Sequence, residues 1–311
     1  MIYPLIIIGS GPGGLTASIY ASRYRIKHLM IGKQLGGMMA LASAVENYPG
    51  FKRISGLELA EKMAKQARFL GAEIISDEVL EIENKNSSSS KPEFKIITAS
   101  GKTYKAKAII LATGTKRREL GVPGEKEFLG RGVSYCATCD AAFFENKLVA
   151  VIGGANAAVM SADHLARFAK KVYLIYRGKP LRAEPIWRER VEENPKIEIV
   201  YNTNVVKILG KEKVEGVELD NPYQGLKILP LDGVFIEIGG VPTGELVRKL
   251  GVELDEGGFI RVNPQMETNV RGVFAAGDIA NLHGELQQII IACAEGAIAA
   301  TSVYKFLRES R

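Results

Sequence analysis

Cys136 and Cys139 are separated by two residues and are followed directly by an acid, in the run Tyr135-Cys136-Ala137-Thr138-Cys139-Asp140. This spacing suits three kinds of chemistry. Two thiolates can supply half of a tetrahedral zinc site. Two thiols can close a static structural disulfide. A dithiol can also cycle between reduced and oxidised forms, by attack of a thiolate and resolution by its neighbour. Zinc asks for two further nitrogen or sulfur ligands, and the sequence offers only Cys293 and the scattered His28, His164 and His283. Three cysteines in 311 residues are too few for a secreted disulfide scaffold. The redox dithiol is therefore the favoured reading, with no metal. Asp140 is placed to accept or donate a proton as the pair opens and closes. The same aspartate could N-cap a helix over Ala141 to Phe144, and the two roles are compatible. Cys293 lies in the apolar run Ile289 to Ala294 and reads as a small core side chain.

Glycines carry a second kind of chemistry. Gly9-Ser10-Gly11-Pro12-Gly13-Gly14 follows the apolar run Ile2 to Ile8 and precedes Leu15 to Arg23, which is rich in Ala, Ile and Tyr at helical spacing. A glycine loop between a strand and a helix is a cradle for a dinucleotide. Gly9 permits the tight turn, Gly11 lets the backbone approach a pyrophosphate, and Gly14 allows close packing of helix on strand. The helix N-terminus then offers free N–H groups and partial positive charge. The second strand, His28 to Ile31, lacks the acidic residue that usually ends it and holds a ribose hydroxyl. Gly32, Lys33 and Gln34 stand there, so backbone or Lys33 contacts must serve.

The same unit recurs. Leu148 to Ile152 reads as a strand, Gly153-Gly154-Ala155-Asn156-Ala157-Ala158 as the loop, Val159 to Ala169 as a helix and Lys171 to Tyr176 as a strand. Ala155 takes the position of the close-approach glycine, where its methyl should crowd a pyrophosphate. Arg177, Lys179 and Arg182 follow the second strand. Cations at that point can hold the 2′-phosphate that separates NADP from NAD, and a solvated basic loop is the alternative.

These units need positioning by more chain than one ordinary domain supplies. Met63 to Leu70 reads as helical, and Ala108 to Ala112 and Val273 to Ala276 as short strands closed by Thr113-Gly114 and Gly277-Asp278. Asn86 to Ser90 reads as a hairpin tip or exposed loop. Gln288 to Leu307 reads as one long, largely buried helix. Hydrophobic residues at 46% and charged residues at 24% describe a soluble globular protein. The net charge of +6 is spread along the chain without a dense basic block, which argues against nucleic acid. No secretion signal and no uninterrupted apolar run of membrane-spanning length is visible, so the expected compartment is the cytoplasm and no membrane is involved.

Several stretches share a further feature, their order: Gly9 to Gly14; Val45-Glu46-Asn47-Tyr48-Pro49-Gly50-Phe51; Ala112-Thr113-Gly114; Leu120-Gly121-Val122-Pro123-Gly124-Glu125; Gly130 through Asp140; and Gly272-Val273-Phe274-Ala275-Ala276-Gly277-Asp278. Together they resemble the low-molecular-weight thioredoxin reductases along nearly the whole chain. The resemblance implies an α/β fold of two Rossmann-like, three-layer domains, the second inserted into the first. An FAD-binding domain would comprise 1–114 and 243–311, and an NAD(P)-binding domain at 115–242 would carry the cysteines.

The resemblance also implies site residues. FAD would lie along Gly9, Ser10, Gly11, Pro12, Gly13 and Gly14, with Gly32, Lys33 and Val79 contributing. Gly36, Gly37 and Asn47 would lie near the flavin, with Ala112, Thr113, Gly114 and Gly277 in the same site. Asp278 would hold the ribityl chain. Gln287, Gln288 and Ile289 would begin the last helix, whose dipole favours negative charge on reduced flavin. The nicotinamide dinucleotide would be held by Gly153, Gly154, Asn156, Ala157, Arg177, Lys179, Arg182, Ile238 and Gly239. By the same resemblance a nicotinamide reduces the flavin, the flavin reduces the Cys136–Cys139 disulfide, Cys139 faces the flavin, Cys136 attacks the partner and Asp140 manages the proton. The partner would be a thioredoxin- or glutaredoxin-like protein disulfide and the enzyme a homodimer. One flavin face cannot serve nicotinamide and dithiol together, so rotation of one domain is implied, with hinges near Thr115 and Pro242-Thr243.

Departures from the family pattern cluster in the second unit. Besides Ala155, Val159, Met160 and Ser161 stand where a pair of glutamates is common, and Tyr176-Arg177-Gly178 replaces a His-Arg-Arg run. Gln287 replaces an arginine near the flavin. NADPH is the expected donor, with NADH or another donor as alternatives. The competing enzyme is a dithiol oxidase, or an oxygen-reducing NAD(P)H oxidase, of the same fold with a degraded nucleotide site. A non-catalytic redox-sensing protein would not need Cys136, Cys139 and Asp140 together.

Overall fold

The computed structural model describes residues 1–85, 92–243, 245–283 and 286–309, with Glu245 as backbone only. The chain divides into two compact units, one formed by 1–116 with 241–311 and the other by 117–240.

In the first unit, parallel strands run in the order Glu73–Ser76, His28–Gly32, Ile2–Ile8 and Thr103–Leu111, with Val273–Ala275 also parallel to Thr103–Leu111. The antiparallel strands Phe94–Thr98 and Val79–Asn84 extend this sheet. Parallel strands covered on both faces read as continuous apolar runs, which is why Leu5 to Ile8 and Ala108 to Leu111 show no alternation. Leu5 and Ile7 point to one face, under the helices Pro12–Arg23, Gly56–Phe69 and Ile289–Glu309. Ile6 and Ile8 point to the other, with Ile82, Phe94, Leu250 and Ile260. The segment Asn86 to Ser90 lies outside the described residues.

The helix expected over Met63 to Leu70 begins earlier, at Gly56, because the Ser55 hydroxyl caps it by accepting the Glu58 N–H at 3.2 Å. The last helix, Ile289–Glu309, has the length and composition of a membrane span, with half of that window buried. Its apolar face is core: Gly296 rests so closely on the backbone of Gly13 that a Cβ would run into the Gly13 carbonyl. Glu295, one residue earlier, is 2% exposed.

The second unit has a parallel sheet in the order Ile197–Tyr201, Lys171–Tyr176, Leu148–Ile152, Gly233–Ile236 and Val133–Ser134. Helices Asn156–Leu165 and Pro185–Glu192 cover one face. The antiparallel strands Val205–Gly210, Val214–Tyr223 and Leu226–Pro230 cover the other. Both units are thus three-layer, Rossmann-like α/β structures. The helix expected over Val159 to Ala169 is shifted to Asn156–Leu165. Past it, Lys196 Nζ donates to the carbonyls of Ala166 and Ala169 at 3.0 and 3.2 Å, and the chain turns there to enter the next strand.

Candidate redox and dinucleotide-binding sites

The first glycine loop is shaped by what glycine permits. Gly9 has φ +111°, and a Cβ there would run into the Ala112 carbonyl. A Cβ on Gly14 would run into the Gly9 carbonyl. Gly11 differs: the nearest atom to its notional Cβ is the Gly36 carbonyl, 4.0 Å away. Gly9 and Gly14 are therefore glycines for packing, and Gly11 is a glycine beside open space. The helix opening at Pro12 has no side-chain cap, so its first N–H groups face that space without a side-chain acceptor. Ser10 fastens this loop to the next one. Its hydroxyl donates to the Gln34 carbonyl at 2.8 Å, and its carbonyl accepts the Gly36 N–H at 2.8 Å. Gly32 packs against the Ser10 side chain, and Gly36 and Gly37 are both left-handed. A strip lined by backbone N–H groups and lacking side chains is the donor set a pyrophosphate needs, so these residues fit a dinucleotide.

Other expected residues converge on the same unit. The Asn47 amide donates to Gln288 Oε1 at 3.0 Å, which places Asn47 at the start of the last helix with Ile289. Gln287 is exposed beside a small pocket that also includes Gly277 and Asp278. Thr243 donates its hydroxyl to Thr113 at 2.8 Å, next to Ala112 and Gly114. Lys33 pairs with Glu78 at 2.7 Å, next to Val79. Glu78 thus brings a carboxylate to the end of the strand His28–Gly32, where the sequence shows none, and it comes from a separate segment.

Glu295 and His283 were not expected at this site. The Glu295 carboxylate accepts the Gly277 N–H at 2.6 Å and pairs with His283 Nδ1 at 2.7 Å. A lone glutamate in an Ala- and Ile-rich helix was its only sequence signal. Burial, and secondarily the Glu295 charge, push the Asp278 carboxyl up to about 6. A raised acid favours the folded state most when it is protonated. In flavin-free protein Asp278 therefore adds stability that is fully present below its ordinary value of 3.8 and is lost as the pH rises through about 6. Glu295 and His283 are the other titratable groups facing it. Asp278→Asn is expected to flatten the fall in melting temperature between pH 4 and 6, and thermal melts of flavin-free protein across that range check this.

In the second unit the two sulfurs are joined: Cys136–Cys139 is a disulfide. Ser134, in the buried strand Val133–Ser134, accepts the Cys136 N–H on its hydroxyl at 2.9 Å. Cys136 is the N-cap of the short helix Ala137–Asp140, and its Sγ accepts the Cys139 N–H at 3.2 Å. That donor would favour a thiolate on Cys136. Cys136 is half-buried, whereas Thr138 and Cys139 are exposed. Asp140 follows directly and is half-buried. It occupies the N-cap position of the turn Ala141–Phe144, yet its side chain makes no capping bond, so the carboxylate is not spent on the cap. Cys293 belongs to the first unit, where it is buried and Tyr48 donates its hydroxyl to the thiol at 3.9 Å.

The second glycine loop is engaged by its own chain. A Cβ on Gly153 would run into the Glu237 carbonyl, and one on Gly154 into the Tyr176 ring. The Gly154 carbonyl accepts the Arg182 N–H at 2.7 Å, and Asn156 Oδ1 accepts the Glu184 N–H at 2.8 Å. Ala155 and Ala157 are exposed at the helix start, as are Arg177, Lys179 and Arg182. Lys179 lies 5.2 Å over the Tyr201 ring. Ile238 and Gly239 follow the strand Gly233–Ile236. Between them and that strand sits Glu237, paired with Arg117 at 2.7 Å and accepting the Ser161 hydroxyl at 3.1 Å. Burial raises the Glu237 pKa, against the opposing pull of Arg117. Ser161 belongs to the stretch Val159 to Ser161, where the resemblance leads one to expect a pair of glutamates. The carboxylate beside this helix comes from the strand end, which spacing alone does not disclose.

Two α/β units, each with a glycine loop between strand and helix, and a Cys-x-x-Cys disulfide in the second, define an oxidoreductase of the dinucleotide-binding class. Residues 3–296 match the family model described as pyridine nucleotide-disulphide oxidoreductase. The chain belongs to that family, and within it stands with the thioredoxin reductases. It is 42% identical to thioredoxin reductase of Listeria monocytogenes over 99% of this chain and 95% of the relative. It is 43% identical to that of Bacillus subtilis over 99% of this chain and 96% of the relative. The crystal structure of Lactococcus lactis thioredoxin reductase in its FR conformation superposes with a TM-score of 0.92 at 39% identity, covering 99% of both chains.

Proposed function

We propose that this chain is a cytoplasmic, homodimeric flavoprotein that takes electrons from NADPH through FAD to Cys136–Cys139 and passes them to the disulfide of a thioredoxin-like protein. The observation that carries the reading is the partly exposed Cys136–Cys139 disulfide in a chain similar to thioredoxin reductases over nearly its full length. The unit 1–116 with 241–311 would hold FAD, and 117–240 the nucleotide. When bound, FAD would supply two-electron transfer between the nicotinamide's hydride and the disulfide. Gly9 to Gly14 and the helix N-terminus would hold its pyrophosphate, Asp278 its ribityl chain, and Asn47, Gln288 and Ile289 would border the flavin. Arg177, Lys179 and Arg182 favour a phosphorylated ribose.

The remaining chemistry belongs to the sulfurs. Two electrons and two protons convert the disulfide to a dithiol. The Cys136 thiolate attacks one sulfur of the partner's disulfide, and the partner's other sulfur leaves and takes up a proton. Cys139 then attacks Cys136, which releases the partner as a dithiol and restores the Cys136–Cys139 bond. Asp140 carries the proton that Cys139 loses and regains.

The test is anaerobic mixing of the flavin-loaded protein with NADPH and, separately, NADH, following flavin absorbance. Rapid bleaching by NADPH, slower by NADH, is the expected result. Bleaching by neither nucleotide, but by a dithiol, would overturn the donor and favour the dithiol oxidase.

A further inference from the structure

Glu125 is a buried acid without a role in the chemistry above. It is 2% exposed and follows the turn Val122-Pro123-Gly124. Its carboxylate is held by three neutral donors: the Leu120 N–H at 2.7 Å, the Gly121 N–H at 2.6 Å and the Tyr135 hydroxyl at 2.5 Å. A buried carboxylate so satisfied is costly to disturb, because removing any donor leaves part of a charge uncompensated. Tyr135 is correspondingly fixed. Burial, and after it the bond to Glu125, push its phenol pKa upward, so it stays a donor throughout the working pH range.

Tyr135 is the residue before Cys136. Cys136 itself is held through its N–H by the Ser134 hydroxyl. The backbone that presents the first sulfur is therefore clamped at two successive residues, one by a strand hydroxyl and one by a phenol anchored on a buried anion. An intramolecular disulfide is favoured over its dithiol in proportion to the effective concentration of one thiol at the other, and that concentration depends on how firmly the backbone presenting each sulfur is held. We propose that Glu125 and Tyr135 form a positioning pair that sets the redox equilibrium of Cys136–Cys139 by holding Cys136 at bonding distance from its partner. This rests on Cys136–Cys139 being the redox pair of the enzyme.

The pair predicts a specific energetic signature. Tyr135→Phe keeps the ring and removes only the donor. It should shift the pair toward the dithiol by about fivefold, the size of one net hydrogen bond. Glu125→Gln should shift it in the same direction. The double variant should shift it no further than the larger single effect, because the Tyr135 hydroxyl acts on the sulfurs only through its bond to Glu125.

The experiment uses flavin-loaded protein equilibrated in a series of oxidised and reduced glutathione mixtures. The thiols are trapped by alkylation, and the Cys136–Cys139 peptide is read by mass spectrometry. A structural contact remote from the sulfurs would lower the melting temperature and leave this ratio unchanged. A ratio in Tyr135→Phe equal to that of the unaltered protein overturns the proposal, as do additive effects in the double variant. Tyr135→Phe is the mild change and decides the matter even where Glu125→Gln does not fold. Failure of the redox-pair assignment itself looks different: the pair would then equilibrate with glutathione, yet flavin reduced by nucleotide would leave the disulfide intact.

Discussion

Cys136→Ser is expected to lower turnover of a thioredoxin-type disulfide by roughly a thousandfold or more, because a hydroxyl at neutral pH cannot replace a thiolate as nucleophile. The same variant should leave bleaching of bound flavin by nucleotide intact, since that step precedes the sulfurs. Cys139→Ser should fail differently. Cys136 retains the donor from residue 139's backbone N–H and can still attack once, but nothing resolves the product. A covalent complex with the partner should then accumulate, visible as a band on a non-reducing gel that dithiothreitol removes. Substantial turnover in Cys136→Ser would exclude Cys136 as the attacking sulfur. A trapped complex in Cys136→Ser and none in Cys139→Ser would exchange the two roles.

The elements that position this chemistry were legible wherever a local rule dictates them. The strand-loop-helix units at Gly9 and Gly153 follow from apolar runs closed by glycines, and a parallel sheet covered on both faces leaves no alternation to misread. The cysteine spacing is equally local. What the sequence concealed is tertiary. Glu78 reaches Lys33 from another segment, Glu295 reaches the Gly277 N–H from the last helix, and Glu237 reaches Ser161 from a strand end. Each is a carboxylate placed by topology, so no periodicity or spacing marks it. Helix starts were misjudged for a related reason. At Gly56 the boundary is fixed by a serine cap, whereas at Asn156 the first helical residue has its side-chain oxygen taken by the Glu184 N–H from a distant segment.

The two glycine loops also show that one motif can be satisfied in two ways. In the first, the position of closest approach is bare and faces open space at Gly11. In the second, Ala155 stands in its place. Gly154 there packs on Tyr176, and Arg182 and Glu184 bond back to the loop. The first loop is thus held open, and the second is braced by its own chain. The bonds back to this loop spend acceptors, the Gly154 carbonyl and Asn156 Oδ1, while the Ala155 methyl stands at the position of approach, so a dinucleotide there would rely more on Arg177, Lys179 and Arg182. This predicts steeper salt dependence of binding there than at the first loop.

The strongest expectation for the first loop is a contrast between two substitutions three residues apart. Gly14→Ala should destabilise the protein by about 2–4 kcal/mol, because the new methyl must displace the Gly9 carbonyl inside a buried, close-packed turn. Gly11→Ala should leave the melting temperature of flavin-free protein unchanged. The backbone at Gly11, φ −74° and ψ −175°, suits any residue, and its Cβ meets nothing nearer than the Gly36 carbonyl at 4.0 Å. Its cost should appear in the flavin, as FAD affinity weakened about tenfold or more, equivalent to roughly 1.4 kcal/mol. Flavin content after dialysis and melts of flavin-free protein read the two effects separately. If Gly11→Ala kept its flavin, the pyrophosphate would not lie against this glycine, and the open strip beside it would have to serve some other purpose. If instead Gly11→Ala melted early and Gly14→Ala did not, the division between a glycine for packing and a glycine for approach would be reversed.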